Sequence, residues 1–386
     1  MAASDSTPPA TDPSFGTVPP APRTRRVSRA HDAEHVHDVV VVGGGQAGLA
    51  AGYYLRRAGL DFVILDGRDG PGGSWGEYWH SLRLFSPAEH SMLPGWWMPA
   101  EEGHEYPSAR HVTWYLSEYE RRYELPVRRP VHVDGVERAD GALRVLSRKG
   151  TWTAGYVISA TGTWRAPHVP DVPGRDLFQG GQLHTVDYRS PEEFAGQRVV
   201  VVGGGNSAAQ ILAELSQVAE TTWTVRRPPR FLPDHLDGRA LFDIATRRLR
   251  ARQSGARVPP GIGDLGDIAV VPPVREARER GALKTEPMFE RITRTGVAWA
   301  DGSHMDCDAI LWCTGFRPAL DHLAPLGLQD DHGRIALEGT RAVDEPRLFL
   351  LGYGDWTGPA SATLIGVGRT AKATVTRITD SLTHRR

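Results

Sequence analysis

The sequence predicts an α/β protein in which a unit of strand, glycine-rich turn and helix occurs twice. Residues 38–66 contain an apolar run, a glycine turn, a helix rich in small residues and a second apolar run. The same order returns over residues 198–225. Continuous apolar runs on either side of a helix are typical of buried parallel strands joined by a crossover. The repeat therefore predicts two dinucleotide-binding domains of the Rossmann type.

The first glycine turn is expected to bind a dinucleotide. Its G-x-G-x-x-G pattern lies directly between strand and helix, where glycines permit a tight turn and close approach of the backbone to a pyrophosphate. The helix N-terminus offers free N–H groups to the phosphates. Asp66 ends the next strand, where a carboxylate accepts hydrogen bonds from ribose hydroxyls. The residues expected to contact the ligand are Gly43, Gly45, Gln46, Ala47, Gly48 and Asp66.

The second turn differs from the first at the end of its second strand. Arg226 and Arg227 stand where the first unit has Asp66. A guanidinium can bind a 2′-phosphate through charge-assisted hydrogen bonds, whereas a carboxylate would repel it, so NADPH is predicted over NADH. The alternative is that both arginines are surface charges beside a Pro-Pro turn. The residues expected to contact this coenzyme are Gly203, Gly205, Asn206, Ser207, Ala208, Arg226 and Arg227.

The presence of two nucleotide sites in one chain indicates which cofactor each site binds. Two dinucleotide sites in one chain imply that hydride passes from a nicotinamide to a second redox carrier, and FAD is a carrier that also binds through a Rossmann fingerprint. The first site is then expected to hold FAD. We expect a disordered tail at residues 1–37, an FAD-binding domain in two parts at 38–165 and 311–386, and an NADPH-binding domain at 166–310 inserted between them.

Composition narrows the expected partners. The 45 Lys and Arg residues balance 46 Asp and Glu, which gives no electrostatic reason to expect nucleic acid or an anionic membrane. No apolar run approaches the roughly 20 residues that cross a bilayer. The two cysteines suit a reducing compartment, so a cytoplasmic location is expected. No metal site is expected, because His31, His35 and His37 belong to the polar tail. A small-molecule substrate and dioxygen remain as partners, with a homo-oligomer left open.

From Asp38 to about Thr376, nearly every segment of the chain resembles the flavin-containing monooxygenases. Phe178, Gly180, His184 and Tyr188 match that family's FxGxxxHxxx[YW][PD] fingerprint, which departs only at Arg189, where Pro or Asp is usual. Residues 72–75 resemble its GGxW segment, and residues 160–162 and 313–315 resemble its two hinges. The resemblance implies further FAD contacts at Gly73, Trp75, Asp355, Thr363 and Leu364.

Two longer segments resemble one bacterial branch of the family. Residues 81–96 and 352–369 are similar to the ArsO type found in arsenic-resistance operons, and less so to the plant YUCCA monooxygenases. That likeness implies an arsenic or sulfur substrate, and a nitrogen centre or a carbonyl is kept as an alternative. No catalytic side chain is assigned, because the active-site asparagine of many animal members has no counterpart near residues 84–86.

The leading hypothesis is therefore NADPH-dependent monooxygenation. In the family, a flavin C4a-hydroperoxide delivers one oxygen atom of O2 to a soft nucleophile. One alternative is an NADPH-dependent reductase or electron-transfer enzyme, which needs a redox-active Cys-x-x-Cys, a second redox centre or a partner surface. The sequence contains no Cys-x-x-Cys. Another is a non-catalytic flavin-binding sensor, since a fold does not fix a function.

Several chemically capable residues are kept off the expected site. His184 is interpreted as a structural residue of a linker. Cys307 and Cys313 are interpreted as packing residues on buried strands, because their spacing is not that of a redox pair. The Trp and Met residues of segment 91–98 are left open between a substrate pocket and the core.

Overall fold

The computed structural model describes residues 35–234, 244, 246–247, 251, 254 and 267–384. The helices are α1 (Gln46–Arg57), α2 (Ala109–Arg122), α3 (Asn206–Leu215), α4 (Pro272–Glu279) and α5 (Leu364–Thr383). The strands are β1 (Val36–Val42), β2 (Phe62–Leu65), β3 (Val127–Arg128), β4 (Val133–Ala139), β5 (Ala142–Ser147), β6 (Gly150–Ser159), β7 (Gly181–His184), β8 (Arg198–Val202), β9 (Glu220–Val225), β10 (Thr285–Pro287), β11 (Arg291–Ile292), β12 (Gly296–Ala298), β13 (His304–Asp306), β14 (Ala309–Trp312), β15 (Leu337–Glu338), β16 (Arg341–Ala342) and β17 (Leu348–Leu350). Residues 1–34 of the expected tail lie outside the described residues.

The first sheet has the strand order β15-β16-β17-β6-β1-β2-β3, with β4 and β5 attached as an antiparallel meander on β6. β1 runs parallel to both β2 and β6. It begins at Val36, two residues earlier than expected, because Val36 and His37 extend its ladder with β6. Val39 and Val41 enter one hydrophobic core while Val40 and Val42 enter another, which explains the unbroken apolar run.

The second sheet is parallel throughout and has the order β10-β9-β8-β14-β7. β8 occupies the place that β1 has in the first sheet, with β9 on one side and β14 on the other. Its valines also alternate between two cores. The predicted α/β fold with two Rossmann-like parallel-sheet units is confirmed.

Two connections pass between the sheets. Residues 160–168 follow β6, and residues 313–317 follow β14; we call them the hinge segments. Strands β11, β12 and β13 form a small antiparallel sheet, and in the sequence they lie between β10 and β14 of the second sheet. Among the described helices, none combines the length and the apolarity needed to span a bilayer.

Candidate functional site

The first glycine turn is held between its own strand and a hinge segment. Gly43 has φ +109°, and its N–H donates to the carbonyl of Leu65 at 2.8 Å. A Cβ at Gly43 would lie 2.4 Å from the carbonyl oxygen of Ala160, and a Cβ at Gly48 would lie 1.9 Å from the carbonyl oxygen of Gly43. Both positions therefore require glycine for the chain to turn and for α1 to start this close to it.

The N-terminus of α1 opens onto a cavity. Gly45 caps the helix without a side-chain hydrogen bond, which leaves the N–H groups of the first turn available to a ligand. Gln46 and Ala47 line the cavity. The Gln46 side chain donates to the carbonyl of Ala362 at 2.7 Å and accepts from Nε1 of Trp75 at 2.9 Å. It thus connects the turn to the 73–77 segment and to the entry of α5.

Asp66 lies at the carboxyl end of β2, beside the turn. Its side chain is buried, and Oδ2 accepts from Nε of Arg129 at 2.7 Å. Arg129 also donates to Glu120 at 2.7 Å. A Cβ at Gly44 would lie 2.7 Å from Oδ2 of Asp66, so no side chain could separate the carboxylate from the turn. The ion pair orients Asp66 toward the glycine backbone.

Two adjoining cavities of about 370 Å³ each surround the first turn and share Gly43, Arg68 and Thr161. Asp66 lies in one, with His132 and His322. The other contains the following residues from the turn, the 73–78 segment, a hinge segment and the loop before α5: Gly45, Gln46, Ala47, Gly73, Trp75, Tyr78, Trp164, Gly352, Tyr353, Gly354 and Ala362. Together they extend from the strand-end carboxylate to the hinge, as an elongated dinucleotide requires. Their residues fit FAD.

The second glycine turn has the same backbone arrangement. Gly203 has φ +129°, and its N–H donates to the carbonyl of Thr224 at 3.0 Å. A Cβ there would lie 2.2 Å from the carbonyl oxygen of Cys313. Gly205 caps α3 without a side-chain hydrogen bond, and no atom lies within 4 Å of a Cβ placed on it. The third position of the pattern is Ala208, which is fully buried.

A cavity of about 490 Å³ lies at this second turn. Gly203, Gly205, Arg226 and Arg227 all line it. Ser207 lies in the first turn of α3 without lining the cavity. Asn206 does not line it either, because its side chain holds a neighbouring loop: Nδ2 donates to the carbonyl of Asp267, and Oδ1 accepts from the N–H of Ala269 at 2.8 Å.

The hinge segments pair with each other between the two sites. The N–H of His168 donates to the carbonyl of Gly315 at 2.9 Å. The rings of Trp164 and Phe316 stack with centroids 5.3 Å apart. Trp164 lines the first turn's cavity and Gly315 lines the second turn's cavity, so the paired hinges connect the two sites.

The contacts of His184 support a structural role. Its Nε2 donates to the carbonyl of Gly315 at 3.0 Å, and Nδ1 accepts from the N–H of Val186 at 3.3 Å. The edge of the ring meets Phe316. Burial lowers the pKa of His184, so the ring is neutral at neutral pH. The histidine of the fingerprint thus anchors β7 to a hinge segment.

The family resemblance implies FAD contacts at three residues near the C-terminus, Asp355, Thr363 and Leu364, and their surroundings differ. Thr363 caps α5, where Oγ1 accepts from the N–H of Gly366 at 3.0 Å. Leu364 is buried in the first domain's core. Asp355 is exposed, whereas its neighbour Gly354 lines the cavity. The backbone of this loop therefore reaches the cavity more directly than the Asp355 side chain.

The aromatic segment 91–98 belongs mainly to the core. Leu93 and Met98 are buried, and the ring of Trp96 stacks on Tyr115 with centroids 4.9 Å apart. Trp97 is 61% exposed. None of these residues lines the three cavities at the glycine turns.

Sequence reasoning missed several residues at the two sites: Arg68, Tyr78, Thr161, Trp164, Tyr353 and Asp267. Tyr353 is buried, and its hydroxyl lies 2.8 Å from Oγ1 of Thr161, which donates to the carbonyl of Ala319 at 2.7 Å. This network holds a hinge segment in place. In the sequence, four of these residues are marked only by their position soon after the ends of strands: Arg68, Thr161, Trp164 and Tyr353. Tyr78 and Asp267 have no such signal.

One group of potential metal ligands lies away from both sites. The ligand atoms of His35, His37 and Asp61 lie within 4.8 Å of one another. Both imidazoles hydrogen-bond to the same carboxylate oxygen, at 2.7 and 2.9 Å. These hydrogen bonds account for the arrangement. His31 lies outside the described residues.

Comparisons with known proteins agree with this geometry. A family model described as pyridine nucleotide-disulphide oxidoreductase matches residues 40–237. A flavin-containing monooxygenase from Stenotrophomonas maltophilia is 50% identical with a TM-score of 0.82, and the match covers 90% of this chain and 99% of that one. The chain belongs to the flavin-containing monooxygenase family.

Two curated relatives extend the likeness over the chain. A Geobacillus kaustophilus (strain HTA426) protein named uncharacterized oxidoreductase CzcO-like is 29% identical over 91% of this chain and all of that protein. The indole-3-pyruvate monooxygenase YUCCA1 of Oryza sativa subsp. japonica is 29% identical over 81% of this chain and 83% of that protein. The predictions of an oxidoreductase and of a flavin with a pyridine nucleotide as cofactors are confirmed.

Proposed function

We propose that this flavin-containing monooxygenase uses FAD and NADPH to insert one oxygen atom of O2 into a small soft nucleophile. The proposal depends on one observation above all: two glycine turns of similar backbone geometry are joined by paired hinges, one beside a carboxylate and the other beside two arginines. Bound FAD would supply the redox and oxygen chemistry with hydride from NADPH, so that one oxygen atom of O2 enters the substrate and the other leaves as water.

Residues of the first turn support its assignment to FAD. The uncapped N-terminus of α1 faces the cavity, where its N–H groups and positive dipole end favour a pyrophosphate. Asp66 is fixed by Arg129 next to the turn, where its carboxylate can accept from ribose hydroxyls. Gln46 and Trp75 are fixed to each other above the same cavity. These residues bind and orient the cofactor.

The arginines support the assignment of the second turn to NADPH. Arg226 and Arg227 directly follow β9 and line the cavity that also contains Gly203 and Gly205. Guanidinium groups at this position are suited to bind a 2′-phosphate. Arg227 is 82% exposed on its side chain, which leaves it free to move toward a bound coenzyme.

An aromatic wall supports oxygen transfer over simple electron transfer. The ring centroids of Trp75 and Tyr78 lie 5.3 Å apart, those of Tyr78 and Trp164 lie 4.2 Å apart, and Trp164 stacks on Phe316. Burial raises the pKa of Tyr78 to about 12, so its phenol is neutral at neutral pH. The four rings form an apolar wall from the flavin cavity to the hinge. Such a wall is suited to limiting the access of water to reactive oxygen chemistry.

The cysteines argue against a disulfide reductase. Cys307 and Cys313 are both buried and unbridged. Burial raises the pKa of Cys307 to about 11 and that of Cys313 to about 12. A redox-active cysteine needs a lowered pKa and access to its partner, because the thiolate is the reactive form. Both thiols are instead packing residues of the second domain.

The test measures how much oxygen from O2 enters the product for each NADPH oxidised. The holoenzyme is supplied with NADPH, ¹⁸O2 and a panel of small arsenicals, thioethers, amines and ketones, and products are analysed by mass spectrometry. A monooxygenase incorporates one ¹⁸O per NADPH oxidised with at least one substrate class. The resemblance to the ArsO type makes a trivalent arsenical the first compound to test. Turnover that continues without O2, or that yields only hydrogen peroxide with every class, would contradict the proposal.

A further inference from the structure

A carboxylate shares the coenzyme cavity with the two arginines. Asp267 lines the cavity, and its Oδ1 lies 3.8 Å from Nη2 of Arg227. Its Oδ2 lies 3.4 Å from Nε of Arg230. The hydrogen bond from the backbone N–H of Arg230 is the main cause that lowers the pKa of Asp267, so the group is charged at neutral pH. A negative charge thus lies at ion-pair distance from an arginine assigned to a phosphate.

Backbone hydrogen bonds fix Asp267 in this place. Its N–H donates to the carbonyl of Arg230 at 2.7 Å, and its own carbonyl accepts from the Asn206 side chain at 3.4 Å. The N–H of Arg230 donates to Oδ2 at 3.1 Å. The Asp267 side chain is 22% exposed, whereas that of Arg227 is 82% exposed. Arg227 can therefore swing toward a ligand, but the carboxylate stays where it is.

We propose that Asp267 is a specificity-determining residue that weakens the preference for NADPH and admits NADH. This inference rests on the assignment of the second cavity to the pyridine nucleotide. A 2′-phosphate brings about −1.5 to −2 charges, which Asp267 repels while it competes for Arg227. The 2′-hydroxyl of NADH brings no charge and can donate a hydrogen bond to a carboxylate. The arginines therefore favour NADPH over NADH, whereas Asp267 reduces that preference.

The test measures nucleotide binding without turnover. Asp267→Asn keeps the size of the side chain and an oxygen that can accept from the N–H of Arg230. Calorimetry on the flavin-loaded enzyme compares adenosine 2′,5′-bisphosphate with 5′-AMP. We expect the substitution to raise the affinity for the bisphosphate about tenfold, because a like charge is removed. The affinity for 5′-AMP is not expected to rise and should fall slightly, because an amide accepts the hydrogen bond of the 2′-hydroxyl less strongly than a carboxylate does.

Asp308 provides a matched control. It holds Arg198 through the same pair of contacts, with the backbone N–H at 2.8 Å and the guanidinium at 3.0 Å, but at the start of β8, the end of the strand away from the turn. Asp308→Asn should leave both affinities unchanged. Equal changes for the two nucleotides in Asp267→Asn, no change, or a loss of bisphosphate affinity would overturn the role of Asp267 while the site assignment stands. If the unaltered enzyme binds neither nucleotide, both are overturned.

Discussion

The two glycine turns have nearly the same backbone and differ in the charges beside it. Gly43 and Gly203 both have a positive φ and both lie against a carbonyl of a hinge segment, where a Cβ would come within 2.4 and 2.2 Å of oxygen. The first strand pair ends in the buried Asp66, and the second is followed by the exposed Arg226 and Arg227. We infer that the backbone of each turn favours a dinucleotide, and that the charge at the strand end sets whether a 2′-phosphate is favoured or repelled.

The closeness of helix to turn also differs between the units. A Cβ on Gly48 would lie 1.9 Å from the carbonyl oxygen of Gly43, whereas the second unit has Ala208 at the matching position. Helix α1 therefore starts closer to its turn than α3 does. A glycine at this position is therefore a packing requirement of the first unit and not a general requirement for binding a dinucleotide, because the second unit has alanine there.

The largest effect is expected from Gly48→Ala. The new methyl would overlap backbone rather than a flexible side chain, so α1 must move, which costs about 3 kcal/mol. We expect the variant to lose flavin on purification and to melt at a lower temperature, as measured by visible absorbance and calorimetry. The control Ala208→Gly should cost about 1 kcal/mol through helix propensity and leave the flavin bound. Similar flavin loss in both variants would break the comparison.

The next largest effect is expected from Asp66→Asn. The side chain is 3% exposed and pairs with Arg129, so neutralising it leaves a buried guanidinium less compensated, at a cost of about 2 kcal/mol or more. Flavin affinity should fall at least tenfold, because a ribose acceptor is weakened as well. Asp61→Asn is the control, since Asp61 is half exposed just before the other end of β2. Equal flavin retention by Asp66→Asn and the unaltered enzyme would remove Asp66 from the site.

The sequence could predict the parts of each site that are local to one strand, turn and helix. Gly43, Gly48 and Asp66 lie within one such unit, and its chemistry requires those residue types at those spacings. Trp164 and Asp267 could not be predicted, because they reach the cavities from a hinge segment and from a loop far along the chain. Their placement depends on tertiary packing, for which a single sequence has no periodic signal.

A smaller effect is expected from Arg226→Ala and Arg227→Ala, and it sharpens the comparison at the strand ends. Each guanidinium adds charge-assisted hydrogen bonds to a 2′-phosphate, worth about 1.5–3 kcal/mol, so the kcat/KM for NADPH should fall about 10- to 100-fold. The kcat/KM for NADH should change little. Steady-state kinetics with both coenzymes measures the ratio, with Arg198→Ala as a control outside the cavity. An unchanged ratio would mean that both arginines are surface charges only.

The smallest expected effect concerns two histidines, His322 at a cavity and His184 at a hinge segment. His322 lies in the Asp66 cavity, and its Nε2 is 3.1 Å from Oγ of Ser159. Burial lowers its pKa to about 4 from an ordinary value of 6.5. Between these values the unfolded chain binds more protons than the folded one, so His322 makes the free energy of unfolding decrease as the pH falls from 6.5 to 4.

His322→Gln should remove this contribution. The difference in melting temperature between the unaltered holoenzyme and the variant should therefore shrink as the pH falls through that window. In His184 the hydrogen bond to Gly315 opposes the effect of burial on the pKa, so His184→Gln should change the pH dependence less. Calorimetry at several pH values between 4 and 7 measures both. If the His322 difference is constant with pH, the ring is not held neutral, and the two histidines are alike despite their different surroundings.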